Sequence, residues 1–274
     1  MPGCSPACCW GAAKQGNRRS SGLGRQVPAL RQARHTCDKR AAPASAQSPR
    51  MGTLYLVRHG QASFGADDYD RLSERGHAQA LRLGQYWRER GLRFDAVLAG
   101  TLLRHTQTLD GIVAGLGGDV PQAIALPQLN EYDSLALIRS VHPSPLPPPA
   151  TPELYRQYFR LLCDALAQWM GGTISPAGMP DWETFRGGVR GVLEQVRQQH
   201  VGANVLLVSS GGPISAAIGE VLSTPPEVTI ALNMRIRNSA VSEFSVAPKR
   251  LMLQTFNSLA HLDAPEYADW TTHA

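Results

Sequence analysis

Apolar positions along this chain alternate between two patterns. Short runs at residues 54–57 (LYLV), 94–99 (FDAVLA), 123–126 (AIAL) and 204–209 (NVLLVS) read as strands, the first of them buried. Between them, apolar residues recur every three or four positions. Ser73 is placed to cap a helix over residues 74–90, with Glu74 in its first turn, and Gly91 is placed to end it. Residues 101–113 predict a second helix, with Leu102, Thr106, Leu109 and Ile112 or Val113 on one side. Strands alternating with helices predict an α/β fold, a three-layer α/β/α sandwich around a mostly parallel sheet.

The alternation then breaks. Residues 141–152 (VHPSPLPPPATP) hold six prolines and predict a loop. A helix follows over 153–170, with Leu154, Tyr158, Leu161, Leu162, Ala165 and Trp169 along one side, and Asp181 caps another over 182–200, which Gly187 and Gly188 weaken. This middle region, about 132–182, reads as a helical insertion over the active-site edge of the sheet. A helix from Pro213 to Val221 and a terminal hairpin, strands near 239–246 and 250–256 joined by APKR, complete the pattern and make the sheet mixed. The expected domain covers residues 51–262, followed by a C-terminal tail over 263–274.

Composition changes the picture mainly at the front. The chain has 274 residues, 43% hydrophobic, with a formal net charge of +5. Nine of its 27 Lys and Arg but only one of its 22 acids fall in residues 1–50, so the rest is slightly acidic and offers no general nucleic-acid footprint. Residues 1–50 have Trp10 as their one aromatic residue and no apolar run, and are expected to be a disordered basic extension. Their composition resembles a transit peptide; alternatively they precede a true start at Met51, which the strand beginning directly after that methionine favours. Four of the five cysteines (Cys4, Cys8, Cys9, Cys37) lie there in no usual zinc spacing, and Cys163 stands alone in the rest, which fits a reducing, cytoplasmic compartment. No stretch reads as a membrane span, and the oligomeric state is not encoded in any feature.

Candidate chemistry gathers where strands end. Arg58, His59 and Gly60 follow the first strand, at the carboxyl edge where parallel sheets bind ligands. An imidazole there can attack an electrophile whose anionic oxygens a guanidinium grips. Arg104 falls in the first turn of the next helix, Glu131 in LNEYD after the third strand, and Ser210, Gly211 and Gly212 after the fourth. A carboxyl group beside an anion pocket can protonate a leaving oxygen, and glycine amides at a helix start can hold an anion. His105 adjoins Arg104 but is about 100° away around the helix, so it is expected to point elsewhere. His142, in the proline-rich loop, is the other histidine able to reach the pocket.

Arg-His-Gly, Arg, Glu and Ser-Gly-Gly on successive strand ends resemble the histidine phosphatase superfamily, the phosphoglycerate mutase-like proteins, over residues 54–238. LSERGHAQA (72–80), TQT (106–108) and DWETFRGGV (181–189) are similar to stretches of that family. The resemblance implies that His59 is the nucleophile, carried through a phosphohistidine, and that Arg58 and Arg104 hold the phosphoryl oxygens. It implies Glu131 as acid and then base, a small phosphorylated substrate, no nucleic acid or membrane partner, and no metal or other cofactor, because arginines supply the positive charge. Three places depart from the family. Ser210 stands where the family has a second histidine, Gly100 where it often has serine, and residues 62–65 differ from the Thr-Glu-Trp-Asn of mutases. The insertion also shows no extra basic cluster to bind a second phosphate, as a mutase requires. Two functions follow from the resemblance: a metal-independent phosphomonoesterase, or a catalytically impaired member that binds a phosphorylated ligand.

Overall fold

The structure, a computed structural model, describes residues 51–63, 70–148 and 150–273. The expectations for residues 1–50 and for part of residues 62–65 lie outside the described residues. Six strands form one sheet in the order β3-β2-β4-β1-β5-β6. Strands β1 (Gly52–Arg58), β2 (Ala96–Ala99), β3 (Ile124–Ala125) and β4 (Asn204–Ser209) are parallel, β5 (Val241–Ala247) pairs antiparallel with β1, and β6 (Arg250–Ser258) pairs antiparallel with β5. The sheet is therefore mostly parallel with an antiparallel edge, as the alternation predicted.

Because side chains alternate across a strand, each central strand feeds two cores. Val57, Val97, Ala99, Leu206 and Val208 face α1 (Glu74–Glu89) and α2 (Leu103–Leu116), joining Leu83, Trp87, Leu109 and Ile112. Leu54, Leu56, Leu98, Val205 and Leu207 face the other layer, where α5 (Trp182–Gln199) and α6 (Gly211–Leu222) supply Val189, Val192, Val196, Ile214 and Ile218. Ser73 caps α1 through a bond from the Gly76 amide, 3.1 Å, and Gly91 follows in the left-handed region at φ +64°.

Two short helices escape the apolar periodicity, α3 (Ser134–Val141) and α7 (Pro226–Asn233), each burying only two residues. Helix α3 packs on α4 (Pro152–Met170), and α4 on α7. Among the aromatic residues of the insertion, Trp169, Trp182 and Tyr132 pack together, whereas Tyr155 and Phe159 are exposed. Trp169 is fully buried, 5.3 Å from Phe185, 5.2 Å from Trp182 and 5.8 Å from Tyr132 between ring centroids. Helix α5 runs through Gly187 and Gly188 unbroken. The segment after Ser258 folds back: Gln79 donates to the Trp270 carbonyl (2.7 Å) and Thr272 hydroxyl (3.0 Å), and Thr272 donates to Asn238. Among the described residues no helix is long and apolar enough to cross a membrane.

Candidate active site

Strand order decides which residues meet. With β4 between β1 and β2, Arg58 pairs with Ser209 and Ala99 with Val208, and the His59 amide donates to the Ser209 carbonyl (2.9 Å). His59, Gly100 and Ser210 thus leave neighbouring strands at one edge. Gly60 is required for proximity rather than for a turn: a Cβ there would lie 2.4 Å from the Gly76 carbonyl oxygen. Its amide donates to the Thr108 hydroxyl (3.0 Å), which donates to the Arg104 carbonyl (2.7 Å), tying the end of β1 to α2.

His59 is almost fully buried, and its Nδ1 sits 2.7 Å from the Gly60 carbonyl oxygen. A carbonyl oxygen only accepts, so Nδ1 carries the proton and Nε2 presents its lone pair. Burial foremost, then Arg58, Arg104 and His105, hold the imidazole well below its ordinary pKa, so the ring is neutral. Arg58 donates to the Ile236 carbonyl. Arg104 is clamped by Asp70, whose carboxylate also accepts from the Leu103 amide at 2.8 Å; the ion pair is 2.7 Å long. Asp70 was not recognisable in the sequence as a site residue, since nothing local links it to Arg104, 34 positions on.

Glu131 reaches the site from a loop with two tethers. The Ser209 hydroxyl donates to the Leu129 carbonyl (2.7 Å), and the Asn130 side chain exchanges hydrogen bonds with Thr101 at the end of β2 (2.7 Å each). The Gly212 amide then donates to both Glu131 carboxyl oxygens, at 3.0 and 3.2 Å. The Gly212 amide expected to hold an anion is therefore engaged by the protein's own carboxyl group. Burial pushes the Glu131 carboxyl above its usual range, against the opposing pull of Gly212, Arg104 and Arg58. Both guanidinium groups bear electrostatically on both Glu131 and His59.

A profile of the histidine phosphatase superfamily, branch 1, matches residues 54–137 and 150–259, more than half of the chain. The chain belongs to the histidine phosphatase superfamily. A 2,3-bisphosphoglycerate-dependent phosphoglycerate mutase of Mesorhizobium japonicum is 39% identical over 88 residues, 30% of this chain and 42% of that protein. The chain thus spans less than half the length of the curated relatives it matches. Among solved structures, a phosphoglycerate mutase from Bacillus anthracis superposes with a TM-score of 0.55 at 17% identity, covering 78% of this chain and 96% of the other. The alpha-ribazole phosphatase from Shigella flexneri gives 0.53 at 21% identity, over 75% and 96%. These likenesses confirm the fold.

Against the pattern of the superfamily, the site differs most at Ser210, and here the structure corrects the sequence reading. His105 does not point away. Its Nε2 lies 2.7 Å from the Ser210 hydroxyl, and its ring centroid is 5.9 Å from that of His59. The buried face of α2 is Arg104, His105, Thr108, Leu109, Ile112 and Leu116, whereas Thr106 is exposed. Arg104 and His105 are both buried, so the 100° between neighbouring helical positions does not turn His105 away from the site. Helix α6 also begins two residues earlier than expected, at Gly211, making Ser210 its N-cap residue, whose hydroxyl accepts no capping bond from the helix amides. His142 ends α3, its amide donating to Ile138. Among the described residues no group of three or more His, Cys, Asp or Glu could hold a metal ion.

Proposed function

We propose that the chain is a metal-independent phosphomonoesterase acting through a phosphohistidine on His59. The observation that carries this reading is the Gly60 carbonyl at His59 Nδ1, which leaves Nε2 unprotonated and free to act as a nucleophile, with Arg58 and Arg104 both bearing electrostatically on the ring. Arg58, Arg104 and the Ser210 hydroxyl grip the phosphoryl oxygens. The Nε2 lone pair forms the N–P bond while the ester P–O bond breaks, and the leaving oxygen takes the proton of Glu131. The Gly60 carbonyl keeps its hydrogen bond to Nδ1–H as the ring gains positive charge. In the second half, Glu131 takes a proton from water, the water oxygen attacks phosphorus, and the N–P bond returns its electrons to Nε2. The raised pKa of Glu131 supports an acid form available for the first step.

The test is hydrolysis of an aryl phosphate in the presence of chelator, wild type against His59→Ala. Expected is turnover in the wild type, unchanged by chelator, and none above background in the variant. Full activity in His59→Ala would end this reading. Phosphate or vanadate binding by a wild type without turnover would favour the impaired, ligand-binding alternative.

A further inference from the structure

We infer that His105 and Ser210 act as one unit that replaces the second histidine of the family pattern, with His105 positioning the Ser210 hydroxyl to donate to the phosphoryl group on His59. This rests on the phosphatase reading above and adds a residue to it. His105 is fully buried, and its Nδ1 has no hydrogen-bond partner. A proton on Nδ1 would be a buried donor without an acceptor, the costlier of the two tautomers. With the proton on Nε2, His105 donates to Ser210 Oγ, 2.7 Å away. The serine then has its own O–H to give. The oxygen accepts no capping bond from α6, so it is open to accept from His105, and Ser210 stands next to His59 across the β1–β4 ladder, which makes an incoming phosphoryl oxygen the natural acceptor for its O–H.

The neighbouring departures from the family are coupled to this pair by space. A Cβ on Gly100 would lie 2.2 Å from His105 Nδ1, so serine at that position cannot coexist with His105 where it sits. A histidine at 210 that kept the present Ser210 Cβ–Oγ direction would meet the His105 ring, whose Nε2 lies 2.7 Å from Oγ. Gly100, His105 and Ser210 are therefore a single interlocked set: the second imidazole enters from α2 instead of from the end of β4, and a short hydroxyl completes its reach. Burial, then Arg104, lowers the His105 pKa to about 3, so it serves as a neutral, oriented donor.

The experiment measures kcat and KM on an aryl phosphate for wild type, His105→Ala, Ser210→Ala and the double variant. Each single change is expected to lower kcat about 10²-fold with KM little changed, the typical loss of one transition-state donor. The double variant should be no worse than either single one, as members of one unit are not additive. Ser210→His alone should lose activity, and His105→Ala with Ser210→His should recover at least tenfold over Ser210→His. A kcat within twofold of wild type in His105→Ala, or additive losses, overturns the inference. Should His105→Ala not fold, nitrogen-15 spectra of the histidines in the wild type decide: a proton on His105 Nε2 supports the pair and one on Nδ1 refutes it. If the wild type shows no His59-dependent turnover, the phosphatase reading fails separately. Vanadate titration then decides the pair, with at least tenfold weaker binding in His105→Ala supporting it and equal binding, or none in the wild type, refuting it.

Discussion

Gly212→Ala separates the placement of the acid from the rest of the site. The alanine Cβ would fall 2.1 Å from Glu131 Oε1 and 2.6 to 2.7 Å from two Tyr132 ring carbons. Non-bonded carbon contacts are comfortable only near ~3.5 Å, so the carboxyl group must retreat by more than an ångström and gives up its two bonds from the Gly212 amide. Overpacking costs roughly 1–3 kcal/mol, and alanine returns about 1 kcal/mol over glycine within a helix. The fold should therefore survive with a small loss in stability. Catalysis should not: a displacement of about 1 Å costs on the order of 10²-fold, and a missing general acid 10²–10⁴-fold, as typical magnitudes. The loss should depend on the leaving group. An aryl phosphate departs as a stabilised phenolate and needs little protonation, whereas an alkyl phosphate needs the full proton. The assay is kcat/KM for one substrate of each kind. The expected result is an aryl-to-alkyl ratio raised about 10²-fold, matched by Glu131→Gln. Equal losses on both substrates, or none on the alkyl phosphate, would refute the idea that the Gly212 amide holds Glu131 as the acid.

Two further outcomes follow from groups outside the nucleophile. His261 is buried against Ser239 (3.0 Å), and burial, then Arg82, lowers its pKa to about 3. Above pH ~6.5 neither folded nor unfolded chain protonates it, while below that the unfolded chain binds a proton that the fold refuses, so stability falls by about 1.4 kcal/mol per pH unit as pH drops. Urea titrations between pH 6 and pH 4 should show that slope flattened by this amount in His261→Gln, and parallel slopes would contradict it. Asp70→Ala removes the partner of the Arg104 guanidinium and of the Leu103 amide; kcat/KM is expected to fall roughly tenfold, in line with the ~1.5–3 kcal/mol of a hydrogen bond to a charged group discounted for the partial exposure of Asp70. Steady-state kinetics showing no change would mean that Arg104 keeps its pose without Asp70.

The alternation of strands and helices, and with it the edge where chemistry would sit, can be read from local apolar spacing. Runs such as 204–209 (NVLLVS) are apolar on both sides because a parallel strand is covered on both faces, and that property is local and readable. Arg58, His59, Glu131 and Ser210 were legible for the same reason: each directly follows an apolar run or its turn. Helices α3 and α7 were not legible, because two buried residues apiece leave no period to detect. Which side chains meet depends on segments far apart along the chain. Asp70 finds Arg104 across a gap in sequence that carries no pattern. His105 turns inward because Gly100 leaves it room and the Ser210 hydroxyl gives it a partner, conditions set on two other strand ends. A polar residue on a buried helical face has no signature in hydrophobic spacing. Its orientation depends on the volume and hydrogen bonds that distant segments provide, and these exist only once the sheet has ordered β1, β4 and β2 side by side.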